Sequence, residues 1–253
     1  MLAVIGGTGF NQLVGLENTT LAEVNIGYGE ASVEHGEIDG TKVLFVPRHG
    51  RPARFPPHKV NYRANIAALK HQGATHIIGV TAVGTVDEAL AVPALVVPDQ
   101  LIDYTWGRPQ TFFDNEIQHI DFTFPYDAEL RNQLLSCARS VADEQVDEQK
   151  VPLIETGTYG CTQGPRLETA AEIRRMRVDG CSIVGMTAMP EVVLAREIDL
   201  PYAGISVTVN PGAGINDQAV ELEAIGQAMQ IGMDSVAAVI RKLVAQLASV
   251  APS

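Results

Sequence analysis

Six apolar runs rich in β-branched residues recur along the chain and predict buried strands. Within each run the apolar residues are continuous rather than alternating, which is typical of strands that are covered on both faces. We therefore expect a central sheet with helices on both sides. The runs are LAVIGG, TKVLFVP, THIIGVTAVG, ALVVPDQLI, CSIVGMT and YAGISVTVN.

Helical stretches lie between these runs. KVNYRANIAALKHQG follows two prolines and ends on Gly73, a typical helix stop. RLETAAEIRRMRVDG ends on Gly180, and PEVVLAREIDL begins on Pro190. Residues 219–247 predict one long amphipathic helix or two abutting ones. The alternation of strands and helices predicts an α/β fold whose central sheet is mixed and largely parallel.

Length and composition favour one soluble domain over residues 1–253. The chain is 46% hydrophobic, and no linker or charge run marks a domain boundary. The apolar runs, of about ten residues, are too short to cross a bilayer. The first ten residues lack the basic region and the cleavage site of a secretory signal.

Charge and cysteine content narrow the partners and the compartment. A net charge of −12 disfavours nucleic acid and anionic membranes as partners. The three cysteines form no C-x-x-C pair, and their odd number argues against a disulfide framework. We therefore expect a reduced, cytoplasmic protein. No H-E-x-x-H, EF-hand or paired C-x-x-C pattern indicates a metal, and we expect none.

Small polar residues and glycines follow several predicted strands, where α/β sheets gather their sites. Glycines allow close backbone approach, and hydroxyls and a guanidinium can donate to phosphate oxygens. One such turn is usually no more than a tight connection, but several together favour a shared anion site. The segments are Gly6-Gly7-Thr8-Gly9, Arg48-His49-Gly50, Thr81-Ala82-Val83-Gly84 and Gly185-Met186-Thr187.

Several of these features have two interpretations. GGTGF at 6–10 partly matches a dinucleotide-binding turn, but the third glycine of G-x-G-x-x-G is missing, so an NAD(P)-binding oxidoreductase domain is a remote alternative. Glu168 is either a carboxylate that complements a helix start or a ligand for a substrate. Asn210, ahead of Pro211, equally suits a turn that ends a strand.

Long motifs follow one another in order over nearly the whole chain. They are IGGTGF (5–10), RHG (48–50), HKVNYRANIAALKHQGATHIIGVTAVGT (58–85), RPQTFFD (108–114), GCTQGPRLET (160–169), VGMTAMPEVVLARE (184–197) and YAGISVTVN (202–210). Together they resemble the trimeric purine nucleoside phosphorylases and methylthioadenosine phosphorylases, with the methylthioadenosine branch closer overall. The resemblance implies a nucleoside phosphorylase-like fold, a homotrimer with sites near subunit contacts, and reversible phosphorolysis of a purine nucleoside to a free base and a pentose 1-phosphate.

The resemblance also implies roles for individual residues. Met186 would pack on the ribose, and Glu168, Asn210 and His49 are the candidate catalytic residues. Inorganic phosphate would be a co-substrate, with no metal or organic cofactor. Catalysis would then rest on positioning the phosphate under the anomeric carbon and on stabilising the charge of the leaving purine. The implied phosphate ligands are Thr8, Arg48, His49, Thr81, Ala82 and Thr187.

Two departures from the methylthioadenosine pattern predict the purine. Leu167-Glu168 and Asn210 stand where that branch has other residues, and they resemble the base-binding residues of 6-oxopurine phosphorylases. A Glu168 carboxylate would accept from N1–H of hypoxanthine, while the Asn210 amide can donate to N7 or O6. Adenine presents a bare N1 acceptor, so the carboxylate would face like lone pairs. We therefore predict a preference for 6-oxopurines.

The residues expected near the 5′ end of the sugar indicate a methylthio group. His119 falls in a segment that resembles the one whose His lies near the 5′-substituent, although a lone histidine is more often a surface or packed residue. Val220, Leu222 and Ile225 fall where the methylthioadenosine branch has small aliphatic residues, and an apolar lining suits a methylthio group. A 6-oxopurine site joined to such a lining predicts S-methyl-5′-thioinosine as the substrate.

Other functions remain open at this point. Methylthioadenosine phosphorylase and a general inosine/guanosine phosphorylase are alternatives within the family, and a non-catalytic purine-binding protein is one outside it. The retained Arg48 and His49 argue against a mere binder, which has no use for a phosphate nucleophile. Relatives often carry a His two residues after the Arg that matches Arg51, where this chain has Ala53. Arg54 is a candidate to replace that phosphate contact.

Overall fold

One mixed sheet runs through the residues that the computed structural model describes, which are 1–146, 150–216 and 222–250. Its strands are β1 (Leu2–Gly6), β2 (Glu17–Asn25), β3 (Glu30–Ile38), β4 (Thr41–Pro47), β5 (His76–Thr85), β6 (Leu95–Val96), β7 (Gln100–Asp103), β8 (Leu153–Ile154), β9 (Thr158–Cys161), β10 (Ile183–Gly185) and β11 (Tyr202–Pro211). The helices are α1 (Tyr62–His71), α2 (Ala128–Glu144), α3 (Ala170–Val178), α4 (Ala188–Glu197) and α5 (Leu222–Val250), and a short 3₁₀ turn covers Pro57–Lys59.

The strand pairings confirm the predicted mixed, largely parallel sheet. β1 lies parallel to β4 on one side and to β5 on the other, and β11 also lies parallel to β5. β10 runs antiparallel to β5, and β9 and β7 continue the sheet beyond it in parallel. At the other edge, β2 and β3 add an antiparallel extension to β4.

The sheet forks at β5, and the fork shapes the region beside the site. The first half of β5 pairs with β1, with Leu2 opposite His76. β1 ends at Gly6, whereas β5 continues and pairs with β10 at Gly84 and Thr85. Between these pairings β5 keeps β11 on one edge, and its other edge faces the end of β1. Thr81 and Ala82 lie in this interval.

Helices cover both faces of the sheet and explain the continuous apolar runs. Side chains of α2 and α5 pack on one face in a cluster that includes Val4, and those of α1 and α4 pack on the other face in a cluster that includes Ile5. Successive residues of a strand point to opposite faces, so both faces require apolar residues. Each such side chain contributes about 1.5–3 kcal/mol when it is fully buried.

Several elements differ from the predictions. ALVVPDQLI divides at Pro98 into β6 and β7, which pair with different strands. The sequence patterns did not predict α2, β8, β9 or the β2–β3 pair; in β2 Val24 alone is buried, so its apolar signal is weak. The C-terminal helical stretch is a single helix over Leu222–Val250. Within the described residues, we find no helix with the length and apolar content that a membrane span requires.

Candidate active site

The donor-rich segments meet around one cavity of about 590 Å³. Its walls include the carboxyl ends of β1, β4 and β10 and the fork of β5. The volume falls in the range of small-molecule sites. Of the residues that we singled out from the sequence, the cavity is lined by Thr8, Arg48, His49, Thr81, Ala82, Leu167, Glu168, Met186, Thr187, Asn210 and Ile225.

Arg48 lies at this cavity but is itself 2% exposed. Its Nε and Nη2 donate to the two carboxylate oxygens of Glu191 at 2.7 and 2.8 Å. Nη2 also donates to the Ile5 carbonyl at 3.4 Å and Nη1 to the Val80 carbonyl at 3.0 Å. A guanidinium has five N–H donors, so these four contacts leave one Nη1–H for a ligand.

The Arg48–Glu191 pair sets the charge at this end of the cavity. Burial would lower the pKa of Arg48, but the charge and hydrogen bonds of Glu191 raise that pKa well above its ordinary value. Glu191 is completely buried in α4 and also accepts from the Tyr202 hydroxyl at 2.7 Å. Arg48 is therefore a permanent cation whose charge is largely offset within the protein.

The glycines of GGTGF allow two close approaches. A Cβ on Gly7 would lie 2.6 Å from Arg48 Nη1, and one on Gly9 would overlap the sulfur of Met229 in α5. Gly9 also has a φ of +77°, which side chains rarely adopt. These contacts account for the glycines without a dinucleotide, and the turn places Thr8 at the cavity.

Two buried threonines bring hydroxyls to the same region. Thr81 Oγ1 lies 2.8 Å from Ser206 Oγ on β11, so Ser206 can hold the Thr81 hydroxyl in place. Thr187 lines the cavity between β10 and α4, and the extended backbone at Met189 separates it from the regular part of that helix. Both hydroxyls are therefore placed where they can donate to an anion in the cavity.

His49 is held in one tautomer. Its Nδ1 lies 2.7 Å from the Phe55 carbonyl oxygen, which can only accept, so Nδ1 carries the proton. Burial lowers the pKa of His49, and the hydrogen bond to Phe55 opposes this only in part. The ring is therefore neutral near pH 7, with Nε2 as an acceptor. It can accept from a protonated phosphate oxygen or from a sugar hydroxyl.

Ala53 and Arg54 line the cavity on the loop that follows His49. The N–H groups of Arg54 and Phe55 both donate to the His49 carbonyl, at 2.9 and 3.0 Å, and close this loop. The Arg54 guanidinium carbon lies 4.8 Å from the centre of the Phe55 ring. No carboxylate among the described residues pairs with Arg54, so its charge is not offset as that of Arg48 is.

Asn210 lies in β11 beside a register shift that follows Thr208. One of its amide protons is used, because Nδ2 donates to the Pro211 carbonyl at 2.8 Å. A Cβ on Gly84 would lie 3.4 Å from Nδ2, so the glycine gives the amide room beside β5. The second amide proton and the side-chain oxygen remain for a ligand in the cavity.

The helix-start role that we considered for Glu168 belongs to Glu172 instead. Thr169 is the N-cap residue of α3; its N–H donates to Glu172 Oε2 at 2.7 Å, and its hydroxyl accepts from the Glu172 N–H at 3.2 Å. The Arg166 guanidinium and the Thr169 N–H hold the pKa of Glu172 at about 2. Glu168 lies before this cap, accepts from Thr162 Oγ1 at 2.6 Å and lines the cavity.

The predicted 5′ residues are not all brought to the cavity. His119 is exposed and does not line the cavity in a single copy of the chain, so its place at the 5′ end stays a prediction. Its segment, the coil 104–127, is held on α4 by Glu197, which accepts from the Thr111 hydroxyl at 2.6 Å. Val220 and the side chain of Leu222 lie outside the described residues.

Comparisons with known proteins identify the family. The model of the phosphorylase superfamily matches residues 1–245. The chain belongs to this superfamily. It is 45% identical over 246 residues to a Pseudomonas syringae protein named "Probable S-methyl-5'-thioinosine phosphorylase", covering 95% of this chain and 97% of the relative. It is 39% identical over 237 residues to the 6-oxopurine nucleoside phosphorylase of Pyrococcus furiosus, covering 90% and 86%.

A solved structure agrees with this assignment. A methylthioadenosine phosphorylase from an Antarctic soil metagenomic library superposes with a TM-score of 0.90 at 35% identity, covering 100% of this chain and 88% of that one. The resemblance seen in the motifs and the prediction of an enzyme of the nucleoside phosphorylase type are confirmed.

Two buried residues of this phosphorylase were missed from the sequence. Glu191 stands in the quoted motif VGMTAMPEVVLARE, and a Glu among apolar residues of a buried helix was an available signal. Arg108 opens the motif RPQTFFD; it donates to the carbonyls of Gln163 at 2.8 Å and Met186 at 2.9 Å. It therefore ties together the segments that follow β9 and β10.

Proposed function

We propose that the protein catalyses the phosphorolysis of S-methyl-5′-thioinosine to hypoxanthine and 5-methylthioribose 1-phosphate. The observation that carries this proposal is the position of Glu168 and Asn210 on one cavity with the donors of the phosphate end. The names of the Pseudomonas syringae and Pyrococcus furiosus relatives support a 6-oxopurine substrate. A cytoplasmic enzyme of purine nucleoside breakdown is the role that we infer.

The base end would bind hypoxanthine through complementary groups. Glu168 accepts from N1–H, and the remaining amide proton of Asn210 donates to N7 or O6. As the glycosidic bond breaks, its electron pair moves onto the purine, and a donor at N7 or O6 stabilises that charge. Leu167, which is half exposed on the lining, would contact the base.

The phosphate end would hold the nucleophile beneath the anomeric carbon. The remaining Nη1–H of Arg48 and the hydroxyls of Thr8, Thr81 and Thr187 donate to phosphate oxygens, with the Ala82 backbone beside them. Because Glu191 offsets the positive charge of Arg48, Arg54 would supply a positive charge that is not offset. It would thereby replace the phosphate contact of the His that relatives often carry at the position of Ala53.

The proton balance gives His49 a role. The reaction forms the bond between C1′ and a phosphate oxygen, breaks the bond between C1′ and N9, and transfers the proton of hydrogen phosphate to the purine. The neutral Nε2 of His49 would accept a hydrogen bond from the O–H of hydrogen phosphate before the bond to C1′ forms. His49 therefore orients hydrogen phosphate with an unprotonated oxygen toward C1′.

The 5′ end would be completed by a neighbouring copy in a homotrimer. Met186 would pack on the ribose, and Ile225 would give the methylthio group an apolar contact. The coil 104–127 carries Trp106, Ile117 and Phe124, which are 72%, 91% and 71% exposed. We infer that these residues form an apolar surface that a second copy of the chain covers. Through such a contact His119 of one copy would reach the 5′ end of another.

A substrate panel tests the proposed function. We measure kcat/KM with phosphate for methylthioinosine, inosine, methylthioadenosine and adenosine. We expect methylthioinosine to exceed inosine by about tenfold and methylthioadenosine by about 10³-fold or more, because a mismatched polar group costs more than a lost apolar contact. Equal values for methylthioinosine and methylthioadenosine would instead identify a methylthioadenosine phosphorylase.

A general 6-oxopurine nucleoside phosphorylase is the second candidate. The Pyrococcus furiosus relative carries that name, and the same base end serves both functions. Equal kcat/KM for methylthioinosine and inosine would favour it. As a control against the dinucleotide alternative, phosphate with hypoxanthine should raise Tm and NAD(P) should leave it unchanged.

A further inference from the structure

Glu168 stands between two cavities, and the second one contains its hydrogen-bond donor. Glu168 lines the main cavity and also a neighbouring cavity of about 490 Å³. Thr162 lines the neighbouring cavity but not the main one. Its hydroxyl therefore reaches Glu168 from behind, out of contact with a ligand in the main cavity.

The backbone fixes Thr162 in this position. It directly follows β9, and its N–H donates to the Gly185 carbonyl at 2.8 Å, which joins it to the end of β10. Arg108 donates to the Thr162 carbonyl at 3.2 Å. Both backbone groups of Thr162 are thus bonded, so the hydroxyl projects from a rigid support.

The hydroxyl has one proton and two acceptors within reach. Oγ1 lies 2.6 Å from Glu168 Oε1 and 3.3 Å from the Gly185 carbonyl oxygen. The shorter contact is to a charged acceptor, and such hydrogen bonds are about twice as strong as neutral ones. The proton therefore lies on the Glu168 side, and Oε1 is occupied. Among the described residues no hydrogen-bond donor contacts Oε2, so this oxygen is left for the base.

We propose that Thr162 is a positioning residue that determines base specificity, by holding Glu168 as a charged acceptor with Oε2 presented to the purine. This inference rests on the proposed function of Glu168. A 6-oxopurine offers N1–H and matches that acceptor. A 6-aminopurine offers a bare N1, so Glu168 would have to carry a proton on the oxygen that faces the base. The Thr162 hydroxyl fixes the carboxylate through Oε1, so Oε2 meets the bare N1 of a 6-aminopurine as one acceptor opposite another.

Three variants test the inference, with kcat/KM measured for a 6-oxopurine and a 6-aminopurine nucleoside. Thr162→Val keeps the shape and removes the hydroxyl, and Thr162→Ala removes it without the steric demand of valine. Both should lower kcat/KM for the 6-oxopurine about tenfold, because a hydrogen bond to a charged group is lost. They should lower the 6-oxo to 6-amino ratio by at least as much. Thr162→Ser retains the donor and should stay within about threefold of wild type.

Thermal melts and the serine variant separate positioning from a structural role. In Thr162→Val and Thr162→Ala, the 6-oxo to 6-amino ratio should fall while Tm stays close to that of wild type, and Thr162→Ser should restore the ratio. An unchanged ratio in both variants, or a serine variant that behaves like valine, overturns the inference. Wild-type protein with no 6-oxopurine preference, or a preference that survives Glu168→Ala, would instead overturn the proposed function itself.

Discussion

The phosphate end and the 5′ end of the cavity are built in different ways. The phosphate end consists of strand ends and buried groups: Arg48 is paired with Glu191, and the Gly7 backbone closes against its guanidinium. The proposed 5′ end would depend on α5, where Ile225 lines the cavity, and on a surface coil whose His119 does not line it in a single copy. One copy of the chain thus holds the groups proposed to bind phosphate in its interior, whereas the groups proposed to contact the 5′-substituent lie on surface segments.

The largest expected effect is on stability and follows from disrupting the buried ion pair at the phosphate end. Glu191→Gln leaves the Arg48 charge buried without its partner, and we expect the free energy of unfolding to fall by about 3–5 kcal/mol. Urea denaturation measures this change. The matched control is Glu34→Gln, which removes the partly exposed pair with Arg51. It should cost no more than about 1 kcal/mol. Equal losses for the two variants would show that burial of the pair does not matter.

The next effect distinguishes the role of Glu168 in base binding from the role of Glu172 in stabilising α3. Glu168→Ala should lower kcat/KM for the 6-oxopurine nucleoside about 100-fold with little change in Tm, because a charged acceptor is lost but no helix cap. Glu172→Ala should do the reverse: it removes the hydrogen bond from the Thr169 N–H in the capping box of α3 and costs about 1 kcal/mol of stability. Kinetics and thermal melts of both variants check this. A Glu172→Ala variant that changes base preference would contradict the division.

A smaller effect concerns His49 and pH. The pKa of His49 lies below its ordinary value because the ring is buried, so the neutral form persists as the pH falls toward that lowered pKa. Below it the ring protonates, and Nε2 no longer accepts. We expect the acid limb in the pH profile of kcat/KM for phosphate to be steeper in the wild type than in His49→Gln, and the phosphate KM to rise about 3–10-fold in that variant. The ionisation of phosphate itself affects both proteins equally, and an identical acid limb in both would exclude His49.

The smallest expected effect tests whether Ile225 contributes to specificity at the 5′ end. Ile225→Ala removes an apolar contact on the cavity and should lower the ratio of kcat/KM for methylthioinosine over inosine about threefold. Ile231→Ala on the same helix serves as the control, because Ile231 is half exposed and does not line the cavity. An equal ratio in both variants would remove Ile225 from the specificity of the 5′ end.

Local sequence patterns predicted the strands and the phosphate end for one physical reason. Strands that are buried on both faces have continuous apolar runs, and the residues that follow parallel strands meet at one edge of the sheet. Thr8 and His49 could therefore be placed together from sequence, whereas Thr187 follows β10, which runs antiparallel to β5 and reaches the same cavity from the other direction. The polar edge strand β2 could not be recognised, because its exposed residues carry no such signal.

Contacts between distant residues and single-residue shifts could not be predicted. Arg48 and Glu191 are 143 residues apart, and no local pattern shows that their side chains meet in the interior. The hydroxyl of Thr162 behind Glu168 depends in the same way on how two loops pack. The helix-start role considered for Glu168 falls to Glu172 because α3 begins at Ala170, a few residues later than the apolar periodicity indicates.

The separate cap of α3 also bears on how such enzymes diversify. The start of α3 is stabilised by the capping box of Thr169 and Glu172 and by the Arg166–Glu172 ion pair. The residue at position 168 is therefore not needed to start the helix. On the proposed role of Glu168, a lineage could exchange this residue, and with it the preferred purine, without first acquiring a mutation that restores the helix start. New base specificities are therefore reachable by single steps from this scaffold, and directed evolution can begin at that position.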